Sequence, residues 1–110
     1  MYQYRASFVR VIDGDTAVLD VDLGFYIWMK EIHFRFAGID APEKDDKQGW
    51  QAATDYVQAF FDANPVVTIN VYDQDKYGRW LVEILEADGT TLNKAEVVKG
   101  LAVPYMTDYK

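Results

Sequence analysis

The chain contains no cysteine. Neither a disulfide framework nor a thiolate zinc site is therefore open to it. Long apolar runs are also missing, and nothing approaches the length needed to span a bilayer. The opening "MYQYRASFVRV" lacks the apolar core and basic flank of a signal peptide. A soluble cytoplasmic protein with no membrane partner is the expectation. No linker, repeat or low-complexity stretch interrupts residues 1–110, which read as one domain. Positive charge is scarce as well. Eleven Lys and Arg stand against eighteen Asp and Glu, for a net charge of −7. Such a balance argues against a protein that coats nucleic acid through a basic surface.

What is present is globular in kind. Half of the residues are hydrophobic and 15% are aromatic, enough for a core without staples. Tyr4 to Ile12 reads as a strand. "DGD" (Asp13 to Asp15) turns the chain, with Asp-Gly as a strong hairpin signal. Ala17, Leu19 and Val21 alternate with Val18, Asp20 and Asp22 in a half-buried strand. Phe25 to Ile39 forms a long β-like run in which Ile32, Phe34 and Phe36 share one face, and His33 and Arg35 the other. "GIDAPE" is a loop. After Lys47 the period changes. Trp50, Ala53, Val57, Phe60 and Phe61 mark an amphipathic helix that Asn64-Pro65 ends. Val67, Ile69 and Val71 mark another strand, "DQDKYGR" a polar turn, and "WLVEILEA" the next strand. Leu92, Ala95 and Val98 suit a short helix closed by Gly100. Mainly β with helices (α+β), with one helix after the third strand and one after the fifth, this order matches the five-stranded Greek-key OB barrel.

Three polar clusters fall at strand ends: "DGDT", "RFAGIDAPE" and "DKYGR". Asp15 and Asp40 offer the hard oxygens that Ca²⁺ or Mg²⁺ prefers. Arg35 and Arg79 can grip phosphate with planar forks of donors. Glu43 can accept a proton from water. Alone, Asp15 and Asp40 would read as solvated turn aspartates; together these groups supply what phosphodiester hydrolysis requires.

"VIDGDT", "FRFAGIDAPE", "DKYGRWLVEI" and "LNKAEVVKGLA", in that order, resemble the staphylococcal-nuclease (thermonuclease-like) family along most of the chain. The resemblance implies an OB-fold barrel and a Ca²⁺-dependent nuclease acting on single-stranded DNA or RNA and leaving a 3′-phosphate. It implies Asp15 and Asp40 as calcium ligands, with Ala41 lending its backbone carbonyl. It further implies Arg35, Glu43 and Arg79 as catalytic residues, and Tyr77, Lys76 and Tyr105 near the substrate. Two side-chain carboxylates leave most of the six to eight calcium positions to carbonyls, water and substrate, so weak metal binding without nucleotide is expected. Arg35, Lys44, Lys47, Lys76 and Arg79 all lie in or beside the motifs, which allows a locally basic phosphate site on an acidic protein.

Other residues have plainer readings. Asp13 shapes the turn. Asp20 and Asp22 face water. His33 is a surface strand residue, Trp50 belongs to the helix core face, and Lys44 to Lys47 form a solvated loop. "FYIWM" can be core, an oligomer contact or a substrate-facing hairpin; core or partial burial is the expectation, and the hairpin is the first candidate contact if the protein forms a weak dimer. The competing function is a non-catalytic OB module that binds nucleic acid or protein. The third is a domain for another phosphoester. The complete carboxylate and arginine set favours the enzyme.

Overall fold

A computed structural model describes residues 1–110. Five strands close into a barrel in the order β1 (Tyr2–Asp13), β2 (Thr16–Asp22), β3 (Trp28–Phe36), β6 (Trp80–Ile84), β5 (Val66–Gln74). All neighbours are antiparallel except β3 and β6, which run parallel with Arg35 opposite Leu81. Helix α1 (Lys47–Ala63) and helix α2 (Leu92–Val98) flank the barrel. This is the mainly β architecture with helices that the strand order implies. Two short strands, β4 (Ile39–Asp40) and β7 (Val103–Pro104), pair outside the barrel.

Alternation puts Ala17, Leu19, Phe34, Phe36, Ile69, Val82 and Ile84 inside. Helix α1 covers them with Ala53, Val57 and Phe61, at the spacing of one helical stripe. Phe61 stacks on Phe8 of β1 with ring centroids 4.6 Å apart. The helix begins where Asp46, in the exposed loop the sequence implies, accepts a hydrogen bond from the Gly49 amide at 3.1 Å and so also caps the helix.

The β1–β2 turn is as tight as "DGD" suggests, but for another reason. Gly14 does not take a positive φ. A Cβ there would stand 2.6 Å from Ala53 Cβ and 2.9 Å from Ala41 Cβ. The glycine lets α1 and the segment after β4 close on the turn. Asp13 accepts the Asp15 amide at 3.1 Å, shaping the turn as its position implies.

Three expectations need correction. The run from Phe25 to Ile39 is not one strand. Phe25 and Tyr26 are the central pair of a two-residue turn with φ of 55° and 63°, closed by the Ile27 amide on Gly24 O at 2.9 Å. That conformation favours Asn-Gly, and each bulky residue held there costs on the order of 1–3 kcal/mol. Nor is "FYIWM" buried: Phe25 and Tyr26 are wholly exposed, and Ile27, Trp28 and Met29 are partly so. Asp20 and Asp22 do more than face water. Asp20 accepts the Glu31 amide at 2.8 Å in a bulge where Glu31 has φ 54°, and Asp22 accepts the Gly24 amide at 2.8 Å.

Helix α2 buries Leu92, Asn93 and Glu96, while Val98 points to solvent. Polar residues therefore hold much of its inner face. Asn93 donates to Ala37 O and Val82 O, both at 2.9 Å, and accepts the Ile84 amide at 3.1 Å. Three bonds from one side chain lock the helix to the barrel end. Gly100, with φ 74°, follows the last turn as a C-terminal cap.

Candidate active site

The strand ends that carry the three polar motifs converge on one cleft of about 870 Å³. Asp15, Arg35, Asp40, Ala41, Glu43, Lys76, Tyr77, Arg79 and Tyr105 all line it, so every site residue read from the sequence faces the same space. Lys44 and Lys47 do not. Seven carboxylates line the cleft against three cationic side chains, which corrects the expectation of a basic site.

Asp15 leaves the β1–β2 turn and is buried. Its Oδ2 accepts the Ala41 amide at 2.9 Å, and its Oδ1 accepts the Thr16 hydroxyl at 3.1 Å. The Ala41 N–H thus orients the Asp15 carboxylate. Burial pushes the Asp15 carboxyl up, but Asp13, the Ala41 amide and Arg35 outweigh it and hold it below its ordinary range. Asp13 takes the opposite course: burial first, then the adjacent Asp15, push it up to about 6.

Arg35 arrives from β3, whose register sets it beside Thr16. Its Nη1 donates to Phe36 O at 3.2 Å and to Ile39 O at 3.0 Å. Its Nη2 lies 3.3 Å from Asp40 Oδ1 and 3.7 Å from Asp15 Oδ2. The guanidinium is fixed at one end by carbonyls and presents the other to the carboxylates. Tyr105, brought in behind β7, lies with its ring centroid 5.7 Å from the Arg35 guanidinium carbon.

Arg79 belongs to the β5–β6 turn, which one side chain organises. Asp75 Oδ1 accepts the amides of Tyr77 (2.9 Å) and Arg79 (3.0 Å), while Oδ2 accepts Arg79 Nε at 2.8 Å and lies 2.8 Å from Nη2. Burial raises the Asp75 carboxyl, yet these amides and the guanidinium hold it low. Tyr77 is exposed beside Arg79 and Lys76. Glu43 is exposed on the cleft wall, and its carboxylate makes no protein hydrogen bond.

Sequence reasoning passed over Asp75 and the C-terminal wall. Asp75 had a local signal, an aspartate opening a turn four residues before Arg79. The wall had none. Tyr109 packs under Gly38, where a Cβ would stand 2.8 Å from its ring, and donates its hydroxyl to Glu83. Glu83 also accepts from Tyr72 at 2.6 Å and Asn70 at 3.1 Å.

Asp15 and Asp40 suit a hard cation by donor type, and the Arg35 guanidinium draws both carboxylates to one corner of the cleft. No third His, Cys, Asp or Glu joins them at ligating spacing. The excess of carboxylates adds a physical reason for a cation, since an anionic phosphate would otherwise enter a negative cleft.

Comparison with known proteins agrees with this geometry. The family described as "Staphylococcal nuclease homologue" matches residues 33–110. An Escherichia coli O157:H7 protein named "Uncharacterized endonuclease" is 36% identical over 99 residues, covering 88% of this chain and 58% of the relative. "Endonuclease YhcR" of Bacillus subtilis is 29% identical over 115 residues, covering 94% of this chain and 9% of that protein. The chain thus spans little more than half the length of the E. coli relative and a small part of the B. subtilis one. With the match covering most of the chain, and the barrel and cleft in agreement, the chain belongs to the staphylococcal nuclease homologue family.

Proposed function

We propose that the cleft hydrolyses phosphodiester bonds within single-stranded DNA or RNA, as a Ca²⁺-dependent endonuclease. The observation that carries this reading is the convergence of Asp15, Arg35, Asp40, Glu43 and Arg79, from separate segments, on one cleft. The relatives' names support endonuclease action.

Glu43 is the general base. Its carboxylate has no protein partner to compete for it, and it takes the proton of the attacking water. The water oxygen bonds to phosphorus as the bond to the 5′ oxygen breaks, and the departing oxygen takes a proton from solvent, leaving a 3′-phosphate and a 5′-hydroxyl. Arg35 and Arg79 stabilise the charge gathered on the phosphoryl oxygens. Both are pre-oriented, Arg35 by the Phe36 and Ile39 carbonyls and Arg79 by Asp75. Asp15 and Asp40, with the backbone carbonyl of Ala41, would hold the Ca²⁺, which when bound polarises a phosphoryl oxygen. Tyr77, Lys76 and Tyr105 flank the path of the strand.

The test is release of acid-soluble product from single-stranded DNA. Wild-type release in Ca²⁺ that stops with EGTA and falls by about 10²-fold or more in Arg79→Ala supports the proposal. Equal release under all three conditions sinks it.

A further inference from the structure

The geometry points to the β2–β3 apex as a contact for a lipid bilayer surface of zwitterionic headgroups, with Phe25, Tyr26 and Trp28 entering the interface. Four observations carry this. From Leu23 to Met29 the chain has no charged residue. Phe25 is 95% exposed and Tyr26 102%, so the apex is convex and touches nothing else in the molecule. Both hold positive φ in a turn better served by Asn-Gly, so the fold tolerates strain to project two aromatic rings into solvent. Behind the apex each cation already faces a carboxylate: Lys30 lies 3.5 Å from Asp20 Oδ2 and 5.3 Å from the Trp28 ring centroid, Arg10 lies 3.0 Å from Glu31 Oε1, and Asp22 leaves the collar net negative.

Shape and charge choose between occupants. A bilayer interface surrounds a convex tip without requiring a matching groove, and Trp and Tyr favour that depth. A second copy fits poorly. The three apex aromatics offer at most about 450–750 Å², still short of the roughly 800 Å² that each partner of a stable complex contributes. Two copies would also each bring a charge of −7. Single-stranded nucleic acid fits less well again. Stacking platforms work beside free cations, whereas Lys30 and Arg10 are already paired. The apex also sits at the opposite end of β3 from Arg35, roughly 23 Å along the strand. The net negative charge selects neutral headgroups over anionic ones, and the absence of charge from Leu23 to Met29 makes the contact insensitive to salt.

Flotation with phosphatidylcholine vesicles tests this, using the whole chain and Phe25→Asn/Tyr26→Gly. That variant supplies the pair the turn prefers, so its urea midpoint should equal or exceed the wild type's. The expected result is wild-type protein floating with the vesicles at low and high salt, and vesicle-bound variant reduced by about tenfold or more. Wild-type protein that stays with the aqueous fraction overturns the proposal, as does equal flotation of both proteins. A wild-type dimer in sedimentation equilibrium that the variant abolishes, without vesicle binding, reassigns the apex to a second copy. Loss of single-stranded DNA binding by the variant, again without vesicle binding, reassigns it to nucleic acid.

Discussion

Arg35 Nη2 stands 3.7 Å from Asp15 Oδ2, and each side chain is little more than one-tenth exposed. One comes from β3 and the other from the β1–β2 turn, so the contact ties two elements together inside the cleft. Removing one partner strands the other in a poorly hydrated place. Arg35→Met is expected to destabilise the fold by about 3–5 kcal/mol in urea unfolding, and Arg35→Met/Asp15→Asn to recover part of that loss. The pH dependence has a definite sign. The Asp15 carboxyl is held low in the fold, so its contribution is present above its ordinary value of 3.8 and is lost as pH falls through the folded value. Arg35→Met should weaken that acid-side loss.

Arg79 differs because its tie to Asp75 lies nearer the surface. Arg79→Ala should change stability by no more than about 1 kcal/mol while lowering hydrolysis by about 10²–10³. Asp75→Asn keeps the turn's shape but weakens the hold on the guanidinium. It should lower kcat less than Arg79→Ala does. Steady-state kinetics beside urea midpoints separates the two effects.

Glu96 sits on the inner face of α2 with no exposure, and neither carboxylate oxygen has a hydrogen-bond partner. Burial, then Asp15 and Asp13, push it up to about 9 from 4.5. The unfolded chain therefore releases this proton before the folded one does. Its contribution is whole below pH 4.5 and is lost progressively toward pH 9. Glu96→Leu should flatten that alkaline decline and raise stability near pH 8 by about 1–4 kcal/mol. Urea unfolding of both proteins near pH 5 and pH 8 checks this; parallel declines would contradict it.

Tyr109 fixes one wall of the cleft through Gly38 and Glu83. Its hydroxyl and that of Tyr72 both serve the Glu83 carboxylate, and burial followed by this contact pushes Tyr72 up to about 12. Tyr109→Phe removes one bond to a buried carboxylate and should cost about 1–3 kcal/mol. Tyr109→Ala also removes the ring beneath Gly38, which frees the segment carrying Tyr105. A larger rise in KM than fall in kcat is the expected kinetic signature.

Much of this was legible because it depends on local pattern. Period-two alternation marked the barrel strands, the three- and four-residue spacing marked α1, and the motifs marked the residues that meet in the cleft. Contacts between distant segments left no such trace. The Glu83–Tyr109 bond and the β4–β7 pair join parts of the chain whose partners no local rule selects. Another miss came from residues that contradict their propensities. Phe25-Tyr26 reads as strand because aromatics favour strands, yet the hairpin requires a turn there. Glu96 carried no signal of its burial, because buried acids are rare and only the helix register turns it inward. The acidity of the cleft also became visible only once Asp13, Asp73, Asp75 and Asp108 were gathered beside the motif residues.

The central claim is that Glu43 acts on water at a phosphodiester bound by Arg35 and Arg79. Single-turnover hydrolysis of single-stranded DNA by Glu43→Gln, with Ca²⁺ and with thymidine 3′,5′-bisphosphate binding measured on the same protein, tests it most directly. The expected result is a rate lower by about 10²–10⁴ with bisphosphate affinity close to that of the wild type. A Glu43→Gln protein that cleaves at the wild-type rate would contradict it.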